Sequence, residues 1–152
     1  MSQSANKDPE APVSINIVRD IFIEASIQVA FQATLDELGP DGELPDGKPF
    51  PMKFEAWPGG RWFRDLGHGS GHLWGHVQVI KPPALIEICG PMFMSYPATN
   101  HLQYRLKEEA KGTRLTLTHR ALGLIPPDHK ENISTGWEYS LERIRKLAQG
   151  KK

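Results

Sequence analysis

The stretch RWFRDLGHGSGHLWGHVQVIKPPALIEI, residues 61–88, decides how this chain folds. It contains three runs rich in β-branched and aromatic residues, each bounded by turn residues, which predict β-strands. The predicted strands cover 61–66, 72–80 and 85–89, and Gly67–Gly71 and Pro82-Pro83 connect them. Connections this short join antiparallel neighbours, since a parallel crossover needs a dozen or more residues. The stretch therefore predicts an antiparallel meander.

The same patterns extend the prediction in both directions along the chain. Upstream, alternation over 15–24 predicts a first strand, and the 27–38 segment predicts a short amphipathic helix with Ser26 in the N-cap position. Further strands are predicted at 52–57, 101–107 and 113–121. A long final helix, starting near Asn132 or Ser134 and ending at Gly150, is indicated by apolar residues at helical spacing: Ile133, Trp137, Leu141, Ile144 and Ala148.

This order of elements predicts an α+β fold. The final helix is apolar on one side, so it needs an apolar surface, which a bent antiparallel sheet of about seven strands wrapped around it would provide. A chain of 152 residues is long enough for one domain of ordinary size. We expect that single domain over residues 14–150, preceded by a flexible tail at residues 1–13.

Composition excludes several classes of protein. The 18 Lys and Arg balance the 18 Asp and Glu, and the zero net charge argues against nucleic acid or an anionic membrane as partner. No apolar run approaches the roughly 18 residues needed to span a bilayer, and the polar amino terminus does not resemble a signal peptide. The single cysteine, Cys89, excludes an internal disulfide. We therefore expect a cytoplasmic protein with no membrane insertion.

No catalytic, phosphate-binding or metal-binding motif is present, so the sequence predicts no catalytic residue, cofactor or metal ion. The histidines at positions 68, 72 and 76 have the spacing of a helical metal site, but the glycines among them favour a strand. In a strand, His72 and His76 would lie about 13 Å apart, which is too far for both to bind one zinc ion.

Five motifs, in order along the chain, resemble a known superfamily: IEAS, PGGRWF, GHVQVIKPPALIEI, GTRLTLTH and GWEYSLERIRKL. Together they resemble the SRPBCC, or START-like, superfamily and, within it, the domain of the activators of heat-shock protein 90 ATPase. The resemblance covers residues from about 14 to 147. It implies the helix-grip fold, in which a bent antiparallel sheet grips the carboxy-terminal helix and leaves a cavity between them.

The orientation of the strand at 72–80 stays open. The resemblance places Trp74, His76 and Gln78 at inward positions, where an imidazole and an amide would orient a ligand among apolar walls. Simple alternation favours the opposite face, with these side chains in solvent and apolar residues such as Val77 buried.

Cavity-lining residues are predicted from the strands, from the apolar loop after residue 90 and from the final helix. The candidate ligand-binding residues are Trp62, Trp74, His76, Gln78, Ile86, Ile88, Met92, Tyr104, His119, Trp137 and Leu141.

We expect a small cytoplasmic protein that binds a hydrophobic or amphipathic small molecule in this cavity. One alternative is a protein-interaction module, with a chaperone as partner in the manner of the heat-shock protein 90 ATPase activators, or with a second copy of the chain. Another is a cyclase- or hydrolase-like enzyme in which His76 and His119 act as acid and base. The enzyme hypothesis requires the two imidazoles to converge on one hollow.

Overall fold

A computed structural model describes residues 11–150. The predicted tail at residues 1–13 falls mostly on residues 1–10, which lie outside the described part. The elements in chain order are β1 (Val13–Ile23), α1 (Ile27–Leu38), β2 (Lys53–Phe54), β3 (Arg61–Gly67), β4 (Ser70–Lys81), β5 (Leu85–Gly90), β6 (Ala98–Glu109), β7 (Gly112–Gly123) and α2 (Pro127–Gln149).

The seven strands of the described part form one antiparallel sheet in the order β1-β7-β6-β5-β4-β3-β2. Strands β2 to β7 follow the predicted meander, and β1 pairs along its whole length with β7, from Val13 opposite Gly123 to Ile23 opposite Thr113. Strands β1 and β2 form the two edges, so the sheet is open. The α+β helix-grip prediction is confirmed.

Both helices pack on the apolar side of this sheet. The predicted stripe of α2 is buried, and it joins one core with inward residues of β6 and β7 such as Leu102 and Leu117. Arg19 of β1 contacts another side of α2. Its guanidinium donates hydrogen bonds of 2.6 Å to Ser134 Oγ and 3.1 Å to a carboxylate oxygen of Glu138. The long helix is therefore held along its length against the sheet.

The helix boundaries reflect local chemistry. Ser26 caps α1 as predicted, because its hydroxyl oxygen accepts a hydrogen bond of 3.2 Å from the backbone N–H of Val29. Helix α2 begins at Pro127, a residue type that suits a first helical position. This is earlier than expected, since the first turns are polar and the apolar periodicity begins only at Ile133. Across residues 11–150, neither helix is long and apolar enough to cross a membrane.

Strand β4 has irregular pairing on both sides. Against β3 the register shifts at Trp74, and against β5 it shifts at Gln78. Between them the backbones approach closely: a Cβ atom added at Gly75 would lie 2.6 Å from the carbonyl oxygen of Cys89. Each extra residue breaks the two-residue alternation of side chains, so positions along β4 do not keep to one face.

Candidate functional site

A cavity of about 480 Å³ lies between the sheet and the two helices. Its surface comes from the end of α1, the loop at 39–52, strands β3, β4 and β6, the loop that follows β5, and α2. Leu44, Phe93 and Asn132 line it and are also exposed, so the cavity opens to solvent beside them. The volume falls within the range of roughly 300–1,000 Å³ that is usual for small-molecule sites.

Aromatic rings form a continuous wall of this cavity. Trp74 is central: its ring centroid lies 5.0 Å from that of Trp62, 5.8 Å from Phe50 and 5.5 Å from Phe93. Phe93 in turn lies 6.3 Å from Trp137 of α2. These spacings are typical of edge-to-face and tilted aromatic contacts, so each ring orients its neighbours. Flat apolar surface is the main feature that the wall offers to a ligand.

A directed hydrogen-bond chain lies behind the wall. The indole N–H of Trp137 donates to His119 Nδ1 at 3.0 Å, and His119 Nε2 lies 2.6 Å from the side-chain oxygen of Asn100. The amide of Asn100 then donates to the carbonyl oxygens of Gly90 and Pro91. Because the indole can only donate, His119 Nδ1 is the acceptor and Nε2 carries the proton.

His119 is therefore held as a neutral imidazole. It is fully buried, and this burial lowers its pKa to about 4. A proton added at Nδ1 would also face the indole N–H of Trp137, which has no acceptor to offer. Both ring nitrogens are engaged within the protein, which leaves neither of them for general acid or base work on a ligand.

The opposite end of the cavity is polar. Glu37, at the end of α1, is buried beside Arg143 and Ser140 of α2: its Oε1 lies 3.5 Å from Arg143 Nε, and its Oε2 accepts from Ser140 Oγ at 3.4 Å. Arg143 Nε lies equally close, at 3.6 Å, to Glu43 of the loop at 39–52. Glu43 also accepts a hydrogen bond from the hydroxyl of Tyr139.

Burial raises the pKa of Glu37 to about 8, although Arg143 opposes this shift. The carboxyl group is therefore mostly protonated at neutral pH. Tyr104 of β6 lies in the same end of the cavity, is fully buried and interacts with Ser140, but its hydroxyl has no partner at full hydrogen-bond geometry in the described part. Burial raises the pKa of this hydroxyl as well, so it remains a neutral donor.

Four of the predicted residues line the cavity: Trp62, Trp74, Tyr104 and Trp137. His119 supports the wall from behind through Trp137. The other apolar candidates, Ile86, Ile88, Met92 and Leu141, are buried in the surrounding core and do not form the cavity surface.

The inward alternative for His76 and Gln78 is wrong. Both side chains are exposed, and Val77 between them is only 2% exposed. The register shifts in β4 explain this, because they place Trp74 at the cavity while the next residues do not continue its face. The imidazoles of His76 and His119 consequently do not meet in one hollow.

The sequence prediction missed the polar end and part of the aromatic wall. Arg143 is distant in sequence from Glu37 and Glu43, and the three residues follow no local motif. Phe50 lies in the loop at 39–52, from which no cavity residue was predicted, and Phe93 follows Met92, the residue that was predicted from the loop after β5. Within residues 11–150, His, Cys, Asp and Glu form no cluster suited to a metal ion.

The sheet, the long helix and the cavity between them define the chain as a domain of the SRPBCC, or START-like, fold. The family model of activator of Hsp90 ATPase homolog 1-like proteins matches residues 47–149, and the chain belongs to this family. No curated protein matches the sequence.

Solved structures agree with this fold at low sequence identity. An uncharacterised protein from Rhizobium leguminosarum is 15% identical with a TM-score of 0.73, over 93% of this chain and 99% of that one. A protein from Chromobacterium violaceum is 21% identical with a TM-score of 0.67, over 88% and 96%. The di-domain ARO/CYC StfQ from the steffimycin biosynthetic pathway is 12% identical with a TM-score of 0.63, over 97% of this chain and 53% of that one.

The buried imidazole predicts a loss of stability in acid. Between pH 6.5 and 4 the unfolded chain binds a proton at His119 that the folded chain does not, so folding stability falls as the pH falls. The expected contribution is up to about 1.4 kcal/mol per pH unit, and His119→Gln removes it. Urea unfolding followed by circular dichroism measures the pH dependence of the free energy of unfolding for the unmodified protein and the variant. An NMR titration in which the folded imidazole protonates near pH 6.5 would contradict this account.

The buried carboxyl group predicts the opposite trend. The folded chain keeps the Glu37 proton between pH 4.5 and 8, whereas the unfolded chain releases it, so this contribution to stability is lost as the pH rises. The stability of Glu37→Gln relative to the unmodified protein should therefore rise by up to about 1.4 kcal/mol per pH unit, levelling off above pH 8. The exposed Glu131→Gln serves as control. An equal pH dependence of the free energy of unfolding in all three proteins would show that folding does not change the ionisation of Glu37 over this pH range.

Proposed function

We propose that the protein binds a hydrophobic or amphipathic small molecule with an aromatic part, in the cytoplasm, in the cavity between the sheet and α2. The observation that carries this proposal is a solvent-accessible cavity with a continuous aromatic wall and a small polar end. Apolar walls with a few convergent polar groups are the usual composition of sites that bury a ligand and fix its orientation.

Gly136 of α2 supports this proposal. It lines the cavity, and a Cβ atom added there would meet no other atom within 4 Å. Glycine inside a helix costs about 1 kcal/mol of stability relative to alanine. Helix α2 thus has a residue that disfavours helix formation at the position where a larger side chain would enter the cavity. This arrangement is expected if the cavity must stay open for a ligand.

The similarity to a solved structure also supports the proposed binding of a small molecule. StfQ, whose fold is similar, comes from a biosynthetic pathway, so one domain of this fold serves small-molecule chemistry. The enzyme hypothesis based on His76 and His119 is not retained, because one imidazole is exposed and the other has both nitrogens engaged.

The family match favours a second candidate function, interaction with the chaperone heat-shock protein 90. This activity would use the outer surface of the domain, and a pull-down with the middle domain of the chaperone, followed by an ATPase assay, tests it. A variant that fills the cavity separates the two functions, since it leaves the outer surface unchanged.

Gly136→Leu should weaken ligand binding without loss of stability. The new side chain extends into the cavity, and leucine favours the helix more than glycine does, so the melting temperature should stay the same or rise. The neutral fluorescent probe N-phenyl-1-naphthylamine should bind the unmodified protein with enhanced emission, and the variant at least about tenfold more weakly.

The matched control is Thr135→Leu, which introduces the same side chain at the neighbouring exposed position. It should bind the probe like the unmodified protein. Equal binding by both variants would place the probe elsewhere, and absence of binding to the unmodified protein would refute the proposed function.

A further inference from the structure

We propose that the polar end of the cavity binds the carbonyl oxygen of a neutral aromatic ligand through two donors, the hydroxyl of Tyr104 and the carboxyl group of Glu37. This inference rests on the proposed function and specifies the chemical class of the ligand. It depends on the two side chains having hydrogen-bonding capacity that the surrounding protein does not use.

Tyr104 OH and Glu37 Oε1 are both buried, both line the same cavity and both lack a hydrogen-bond partner in the described part. Tyr104 is fully buried and Glu37 is 8% exposed. A buried polar atom without a partner destabilises a protein by roughly 1–3 kcal/mol. A third such atom, Arg143 Nε, lies 3.5 Å from Glu37 Oε1. Because Tyr104 and Glu37 line one cavity, their unpartnered atoms indicate the position of a ligand's polar group.

The charges around Glu37 decide which role its carboxyl group takes. Arg143 is the cation beside it, Glu43 and Asp41 of the loop at 39–52 are the anions, and Ser140 and Tyr104 are neutral neighbours. One guanidinium shared at 3.5 and 3.6 Å between two carboxyl groups neutralises only one of them.

Glu43 is the better place for the negative charge. Its side chain is 26% exposed, against 7% for Glu37, and it also accepts the Tyr139 hydrogen bond. Glu37 then remains a carboxylic acid. Its Oε2 accepts from Ser140 at 3.4 Å and its Oε1 lies 3.5 Å from Arg143 Nε, so neither oxygen forms a short hydrogen bond and the acid proton can be donated into the cavity. The raised pKa of Glu37, about 8, agrees with this arrangement.

A phenol and a neutral carboxylic acid in an apolar site form a strong pair of donors for a carbonyl oxygen, and enzymes that stabilise such an oxygen use this combination. The aromatic wall supplies the surface on which a planar ring would lie. A ligand carboxylate fits less well, because it would approach the negative charge of Glu43. The geometry thus favours a neutral aryl ketone or quinone-like compound.

The test compares two probes of nearly equal size, 2-acetylnaphthalene and 2-ethylnaphthalene, by displacement of N-phenyl-1-naphthylamine at pH 6.5. The ketone should bind about tenfold more tightly, as expected for two hydrogen bonds to a buried acceptor. Tyr104→Phe should remove most of this preference, so that the two probes bind the variant with similar affinities. Tyr96→Phe, which loses a hydroxyl bonded to His129 outside the polar end, is the control.

The pH dependence tests the role of the acid. The preference for the ketone should fall as the pH rises from 6.5 to 9, because Glu37 loses its proton near pH 8 while neither probe titrates. In Glu37→Gln the preference should not change with pH, since the amide donates a hydrogen bond at every pH.

The outcomes separate this inference from the function on which it rests. Equal affinities for the two probes would overturn the inference and leave the apolar binding function in place. Failure of both probes to displace the dye would overturn both. Tighter binding of 2-naphthoate than of the ketone would also overturn the inference, because it would identify Arg143 as an anion site.

Discussion

The hydrogen-bond chain from Trp137 through His119 to Asn100 is the constraint on which the cavity depends. All three side chains are buried, so each donor must find its acceptor inside the protein. The chain fixes the rotation of α2 through Trp137, and it reaches the loop after β5 through the carbonyl oxygens that Asn100 binds. Phe93 lies in that loop, so the same chain of hydrogen bonds positions two neighbouring rings of the aromatic wall, Phe93 and Trp137.

The interior of the site is electrically neutral over a wide pH range for two opposite reasons. Burial lowers the pKa of His119 to about 4 and raises that of Glu37 to about 8, so between these values the base is unprotonated and the acid is protonated. The remaining charges, on Arg143 and Glu43, lie at the polar end of the cavity. The buried imidazole behind the aromatic wall therefore carries no charge, which favours neutral occupants over charged ones there.

Local patterns in the sequence predicted most of the fold but only part of the site. Apolar periodicity identified the stripe of α2, and the candidate His119 lies on the buried face of β7, because both elements keep regular geometry. In β4, alternation correctly predicted His76 and Gln78 in solvent and Val77 buried, but it also placed Trp74 in solvent. A register shift of one residue leaves no trace in composition and changes which side chains face inward. The polar end was also missed, because Glu37 and Arg143 lie on different helices and meet only through packing.

At Gly136, selection for stability and selection for an open cavity would favour different residues. Most substitutions there would strengthen the helix, so selection for stability alone would replace this glycine. Under the proposed function, a ligand that needs the open cavity would offset that gain. Because the backbone tolerates a side chain at this position, a single substitution could narrow the range of accepted ligands while the fold persists. The position is therefore a place where related proteins can diverge in ligand size without first becoming unstable.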